Sequence, residues 1–203
     1  NGFIELSVIE NNSSRMSQVE TINNGAFSVS LSLPKNMKAG TYLVKLDAYE
    51  QDINGKTTNN GFMNQNILVR HIPTSLEVVF ENPEVEPGTS LKVKAILRDQ
   101  TGEKMPSLSF ISIKNKNNKI LEQVEIETDQ LHELPIAYNE LPSSWKVVAV
   151  SNKLTSESSF TIIEKEDIKI EIINKTIIIT NMGNVPYNKT ALVKIGNESL
   201  NVD

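Results

Sequence analysis

The two histidines are the first residues whose chemistry could define a site. His71 follows Arg70, and His132 lies in the segment DQLHELP. A zinc site built on histidine needs both rings and a carboxylate within one cluster. The strand pattern described below divides the chain between the two histidines, so we predict surface or packing roles for them and no metal site.

Nucleophilic and acid–base catalysis lack a recognisable arrangement in this sequence. Cysteine is absent, which excludes disulfides, thiolate zinc sites and a cysteine nucleophile. Serines and carboxylates are abundant, but no Gly-x-Ser-x-Gly turn presents a nucleophile. A glycosidase would need two oriented carboxylates in a cleft with aromatic side chains that stack on sugars, and aromatic residues are few. We therefore predict that the chain is not an enzyme and needs no cofactor.

Two acidic segments offer oxygen ligands for calcium. The segment EKED supplies Glu164, Glu166 and Asp167, and the segment DQTGE supplies Asp99 and Glu103. Calcium between tandem β-domains uses such carboxylates, although neither segment has the ligand spacing of an EF-hand loop. The sequence favours solvated charge at both places and leaves calcium as the alternative.

Asparagine is common, and five Asn-x-Ser/Thr sequons occur, which begin at Asn11, Asn12, Asn174, Asn188 and Asn197. Chance explains several sequons in a chain this rich in asparagine. The alternative is an exported protein that carries N-linked glycans. Asparagine is depleted in strands and frequent in turns, so we expect the excess to lie in connections.

Composition excludes one class of partner and leaves export open. The net charge is −5, the acidic excess lies in residues 73–165, and no segment is basic. Nucleic-acid binding needs a clustered Lys/Arg face, so we expect no nucleic-acid partner. No apolar run has the length of a membrane span, and residues 1–20 lack the layout of a signal peptide. We expect any targeting or anchoring segment to lie outside this sequence.

An alternation of period two predicts the fold. The segment AFSVSLSLP puts Phe27, Val29, Leu31 and Leu33 on one face and serines on the other, and LKVKAILRD aligns Leu91, Val93, Ala95 and Leu97. Such strands recur every 8–12 residues between Gly, Pro, Asn and Asp turns, a spacing typical of antiparallel β-sandwiches. We predict an all-β fold of tandem immunoglobulin-like sandwiches.

An internal echo sets the predicted domains. In LPKNMKAGTY and LPSSW, a Leu-Pro and a short polar linker precede an aromatic residue that opens a strand, Tyr42 or Trp145. Pro73 marks the first boundary, because proline forces an extended residue before it and cannot pair in the centre of a sheet. A charge run at IIEKEDIK marks the second. We predict a sandwich at 1–72 that lacks its N-terminal strand, a sandwich at 73–165, and the first strands of a third at 166–203.

The tail carries the last motif. We interpret Asn181 to Asn184 as a turn between paired strands, since a phosphate loop would need a following helix and a Lys-Ser/Thr pair. We expect residues 166–203 to be poorly packed or to complete themselves by pairing with a neighbouring chain.

The segment GAFSVSLSLPKNMKAGTYLVKLDAY resembles immunoglobulin-like sandwiches of prokaryotic surface proteins. The tail INKTIIITNMGNVPYNKTALVKIGN is similar to the start of CARDB-like (cell-adhesion-related) sandwiches of archaeal surface proteins, through Asn181, Gly183, Asn184 and Pro186. The resemblance implies an extracellular or cell-envelope protein of many domains, S-layer-like and without shared catalytic residues. It favours a structural or adhesive stalk segment whose partners are domains of the same larger chain, neighbouring surface proteins or glycans. The alternative is an accessory module, carbohydrate-binding or spacer, of a secreted enzyme.

Overall fold

The structure is a computed structural model that describes residues 1–11, 13–174, 176–195 and 198–202. Every regular element in these ranges is a β-strand; most of the strand pairs are antiparallel, and one is parallel. The predicted all-β, antiparallel class is confirmed. The chain divides into two compact units: the first comprises residues 1–72 and 99–103, and the second comprises residues 73–98 and 104–203. The predicted boundaries of three domains stay a prediction.

The first unit contains one four-stranded antiparallel sheet. Its strands are β1 (Gly2–Glu10), β2 (Ser13–Ile22), β3 (Gly40–Gln51) and β4 (Thr57–Val69), in the order β2-β1-β3-β4. Because side chains alternate across a strand, paired residues place one set on a common face. Ile4 opposes Ala48, Leu6 opposes Leu46, and Val8 opposes Val44, so that this face is apolar along the centre of the sheet.

A stretch without regular structure covers part of that apolar face. Val8, Met37 and Tyr42 form the buried centre of the unit, with Leu31 packed against them. The prediction of a strand at Phe27–Leu33 is wrong: these residues form no strand, and Phe27 and Leu33 are 52% and 40% exposed. The physical reason is the lack of a neighbour, since no described strand pairs with this stretch and a lone strand has no ladder to join.

The second unit contains a two-layer β-sandwich. Its strands are β5 (Pro73–Phe80), β6 (Glu84–Val85), β7 (Ser90–Asp99, whose last residue groups with the first unit), β8 (Leu108–Lys114), β9 (Ile120–Glu127), β10 (His132–Pro135), β11 (Ser143–Ser151) and β12 (Leu154–Ile162). One sheet has the order β10-β7-β5 and the other the order β6-β12-β11-β8-β9. The predicted inner face of β7 is confirmed, because Leu91, Val93, Ala95 and Leu97 have no exposed surface.

The core of the sandwich lies between these two sheets. Trp145 and Phe160 meet edge to face with ring centroids 5.9 Å apart, and Phe80 lies 5.8 Å from Phe160. The indole N–H of Trp145 donates to the hydroxyl of Ser143 at 3.1 Å, which satisfies its one donor. Burial of such rings provides a large apolar contribution to stability.

Two hairpins follow the sandwich within the second unit. The first pairs β13 (Ile168–Ile173) with β14 (Thr176–Asn181), and the second pairs β15 (Ala191–Ile195) with β16 (Glu198–Val202). Each forms a separate two-stranded sheet. The turn at Asn181–Asn184 therefore connects strands of different hairpins, and the expectation that it joins paired strands is wrong.

Asparagine occupies strained turn positions, as its abundance in the predicted connections suggested. Residues with positive φ include Asn11, Asn24, Asn118, Asn152 and Asn174. Asparagine tolerates this left-handed conformation better than most residues, because its short amide bonds locally to the backbone. The sequence excess of asparagine in part reflects these turns.

Candidate functional site

His71 and Asp99 form the most site-like contact of the first unit. The Nδ1 atom of His71 lies 2.8 Å from Oδ2 of Asp99. The side chain of Asp99 is fully buried, whereas that of His71 is 53% exposed. A carboxylate that orients an exposed imidazole provides two members of a catalytic triad, which also needs a nucleophile. Among the hydrogen bonds of the described residues, none joins His71 to a serine or threonine hydroxyl.

Asp99 is committed to the turn that it begins. Its Oδ1 accepts hydrogen bonds from the hydroxyl of Thr101 at 2.7 Å, the amide of Thr101 at 2.8 Å and the amide of Glu103 at 3.1 Å. The Thr101 hydroxyl is the largest cause that holds the pKa of Asp99 well below its usual range, and His71 and the two amides add to it while burial opposes it. The carboxylate is thus an ionised turn anchor and a weak base.

Two other polar side chains of the 99–103 turn, Glu103 and Gln100, are also bound in structural contacts. Glu103 pairs with Lys38 at 2.6 Å, and this pair raises the pKa of the lysine. The amide nitrogen of Gln100 donates to the carbonyls of Met37 and Arg70, each at 3.0 Å. Its Oε1 accepts from the amide of Ile72 at 2.7 Å. Sequence reasoning missed Gln100, because nothing in its type distinguishes it from a solvent-facing turn residue.

His132 belongs to the second unit, whereas His71 belongs to the first. Its Nε2 atom is 3.1 Å from Oε1 of Glu122 without the alignment of a hydrogen bond, and its side chain is 16% exposed. In the described part of the chain, no group of three or more His, Asp or Glu side chains is arranged to hold a metal ion. Of the candidate ligands in EKED, Glu166 pairs instead with Lys189 at 2.8 Å.

A charge cluster that the sequence did not reveal lies at Asp129. Its two carboxylate oxygens accept from Lys94 at 2.6 Å and from Lys104 at 2.7 Å. These hydrogen bonds, with that of Lys104 the larger, lower the pKa of Asp129 to about 2. Asp129 also has a φ of 66°, so it shapes a turn while it joins two lysines. The cluster is a structural ion network of the sandwich.

The Asn181–Asn184 turn fastens the β13–β14 hairpin to the sandwich. Asn184 is buried; its amide nitrogen donates to the carbonyls of Glu140 and Ile163, and its Oδ1 accepts from the amide of Lys165. Gly183 lies so close that an added Cβ would stand 2.0 Å from the carbonyl oxygen of Lys165. The N-x-G-N motif is therefore a packing joint, in which the side-chain amides of Asn181 and Asn184 each donate and accept hydrogen bonds.

The sequons divide between described and undescribed residues. Asn11, Asn174 and Asn188 are exposed, the first two at turns with positive φ. Asn12 and Asn197 lie outside the described residues. Glycosylation at all five positions stays a prediction.

The described residues contain no helix of the length and apolarity that crossing a bilayer requires. No protein-family model matches the sequence, and no curated protein matches it.

Solved structures give the remaining comparisons. The amphioxus IgVJ-C2 molecule aligns at 12% identity and a TM-score of 0.34 over 79% of this chain and 88% of that one. The S-layer protein rSbsC(31-844) aligns at 12% identity and a TM-score of 0.34 over 98% of this chain and 28% of that one. The Ruminococcus gnavus β-glucuronidase aligns at 11% identity and a TM-score of 0.28 over 88% and 33%. This chain spans about a third or less of the latter two proteins, and their activities are not transferred to it.

Proposed function

We propose that this chain is a non-catalytic structural segment, a stalk, of a larger extracellular or cell-envelope protein of the immunoglobulin-like class. Its partners are other domains of that larger chain and neighbouring surface proteins or glycans. The acidic side chains support this proposal, because Asp99, Asp129 and Glu166 are each bound into a structural contact. A stalk must then transmit force along its length without unfolding.

The pairing of β6 with β12 is the observation that carries the proposal. These strands are parallel, with Thr161 beside Glu84 and Ile162 beside Val85. The amide of Thr161 donates to the carbonyl of Pro83 at 2.8 Å, and that of Ile163 donates to the carbonyl of Val85 at 3.1 Å. The β6 strand lies near the start of the sandwich and β12 at its end. Tension between those ends pulls the two parallel strands past each other, so the bonds are loaded together in shear.

Single-molecule pulling tests this assignment. Handles attached at Asn1 and Asp203 should record a distinct unfolding step for the sandwich of the second unit. Its 73–165 stretch should release roughly 300 Å of chain when extended. The Ile163→Pro variant removes one shear-loaded N–H at the end of the sandwich, and we expect it to unfold at lower force. The matched control is Ile163→Val, which keeps the N–H and should retain the force. Equal unfolding forces for all three chains would overturn the tension-bearing role.

A glycan array tests the alternative of a carbohydrate-binding module. Exposed aromatic side chains would carry such binding, and Phe62 and Tyr138 are 73% and 58% exposed. We expect no glycan to bind with micromolar affinity. Binding that is lost in Phe62→Ala or Tyr138→Ala, with folding unchanged, would replace the stalk by the accessory module.

A further inference from the structure

The stretch from Phe27 to Leu33 has the sequence pattern of a strand but no strand neighbour. Its apolar residues alternate with Ser28, Ser30 and Ser32. Val29 and Leu31 are half-buried, and Leu31 packs against the buried cluster of the first unit. Among the described residues, no backbone hydrogen bond involves positions 27–33. Main-chain donors and acceptors that stand in a row in an extended chain are a template for an added strand.

An apolar cavity lies beside this stretch within the first unit. It has a volume of about 210 Å³, and its lining includes Ile4, Phe27, Leu46 and Met63. Phe27 and Met63 are 52% and 57% exposed. In a β-sandwich a second sheet would cover this sheet face. Here one irregular stretch covers it in part, so apolar surface stays exposed.

The β13–β14 hairpin in the second unit has an exposed apolar face and a strand edge without a partner among the described strands. Cross-strand pairing puts one set of isoleucines on a single face: Ile168, Ile170, Ile172, Ile177 and Ile179. Ile170 and Ile172 are 46% and 73% exposed. In the described ranges β13 pairs only with β14, so its outer edge has no strand partner. A single two-stranded hairpin is at best marginally stable in water, and a third strand stabilises it.

We propose that the β13 edge of one copy of this chain adds to the Phe27–Leu33 stretch of a second copy. The two stretches share the same alternation, so pairing would place Ile168, Ile170 and Ile172 beside the apolar residues of 27–33, over the sheet. It would place Lys169 and Glu171 beside the serines, in solvent. The chain itself thus supplies a strand of the required pattern, which favours a second copy over an unrelated partner.

The contact joins two different surfaces, so it is heterologous. A heterologous contact adds copies head to tail and does not stop at a dimer unless the rotation closes a ring. This inference goes beyond the proposed function, since a stalk segment can bear tension without self-association.

Sedimentation equilibrium across a concentration series tests the proposal. The wild-type mass should rise from the monomer value of 22.6 kDa through the dimer without a plateau there. Ser30→Pro removes an N–H from the centre of the acceptor stretch, and Ile170→Lys charges the isoleucine face. Each variant alone should remain a monomer. An equimolar mixture should form a one-to-one complex and stop, because each variant retains the surface that the other lacks.

Matched control variants distinguish a loss of strand pairing from a general loss of structure. Ser30→Ala keeps the N–H, and Thr180→Lys adds the same charge on the opposite face of the hairpin; both should associate like the wild type. Trp145 fluorescence should be the same in all variants, which shows that the sandwich is folded. A wild-type mass that stays at the monomer value up to several hundred micromolar would overturn the proposal. So would wild-type association together with a mixture that remains monomeric.

Discussion

The strands of both units show the same period-two alternation, but the second unit encloses its apolar side chains more completely than the first. In the second unit, two sheets enclose a core in which Leu91, Ile111, Val147 and Ile162 have no exposed surface. In the first unit, one sheet is covered by an irregular stretch, and Val8, Met37 and Tyr42 are the buried hydrophobic residues of that cluster. The alternation decides which side chains face inward, but closure also requires a second sheet opposite the first.

The difference extends to the polar groups that organise each unit. In the second unit, Lys94, Lys104 and Asp129 form an ion network at the rim of an already closed core. In the first, hydrogen bonds of Gln100 and Asp99 fix backbone segments around a small core. We infer that the first unit depends more on individual polar contacts, and the second more on apolar burial.

The largest expected effect is the loss of a core ring in the second unit. Phe160→Ala removes a side chain that is 1% exposed, and should lower the free energy of unfolding by about 3–5 kcal/mol. Urea unfolding followed by Trp145, the one tryptophan of the chain, measures it. Phe27→Ala in the first unit is the matched control, followed by circular dichroism because Trp145 lies in the second unit, and should cost less than about 1 kcal/mol, because that ring is half exposed. Equal costs would remove the contrast between the units.

The next effect concerns the joint at Gly183. An alanine there would place Cβ against the carbonyl of Lys165, and should lower stability locally by about 1–3 kcal/mol as the backbone moves. Hydrogen exchange of the β13–β14 amides should accelerate while that of β11 stays slow. Gly61→Ala in the first unit is the control, since nothing lies within 4 Å of its added Cβ. Unchanged exchange in β13–β14 would show that the turn does not fasten the hairpin.

Gln100 tests whether single polar contacts dominate the first unit. Gln100→Ala removes the bonds to Met37, Arg70 and Ile72 and should destabilise this unit by about 1–2 kcal/mol. Hydrogen exchange of amides 37–42 measures the effect. Gln65→Ala is the control, because the exposed side chain of Gln65 has, among the described residues, one hydrogen bond, to the carbonyl of the adjacent Asn66. If both variants exchange alike, the turn at 99–103 does not support the first unit.

The smallest expected effect is the pH dependence of the second unit. The pKa of Asp129 is lowered to about 2 from an ordinary value of 3.8, so its ionised form stabilises the fold above about pH 4. That stabilisation is lost as the pH falls through about 2. Asp129→Asn keeps a residue that tolerates positive φ and should flatten this acid branch in urea unfolding followed by Trp145. If the free energy of unfolding falls equally steeply with acid in the variant, other carboxylates cause the loss.

The sequence predicts the all-β class and the inner face of β7, because alternation alone determines which side chains share a face. It does not predict that Phe27–Leu33 fails to form a strand, since the same alternation is present there and only the absence of a neighbour differs. It also misses Gln100 and the lysines around Asp129, whose roles arise from contacts between residues distant in the chain. The motif Asn181–Asn184 is recognisable in the sequence as a turn. Its sequence does not predict that Asn184 is buried, because the side chain bonds to Glu140 and Ile163, which are distant in the chain.

Hydrogen exchange of the chain as a monomer, at low micromolar concentration, tests the contrast most directly. Amides of residues 28–33 should exchange almost as fast as in an unfolded chain, because no described backbone group pairs with them. Amides of β11, between β8 and β12, should exchange only through unfolding of the sandwich. Slow exchange at 28–33 in the monomer would show that the first unit closes a second sheet by itself and would contradict the account.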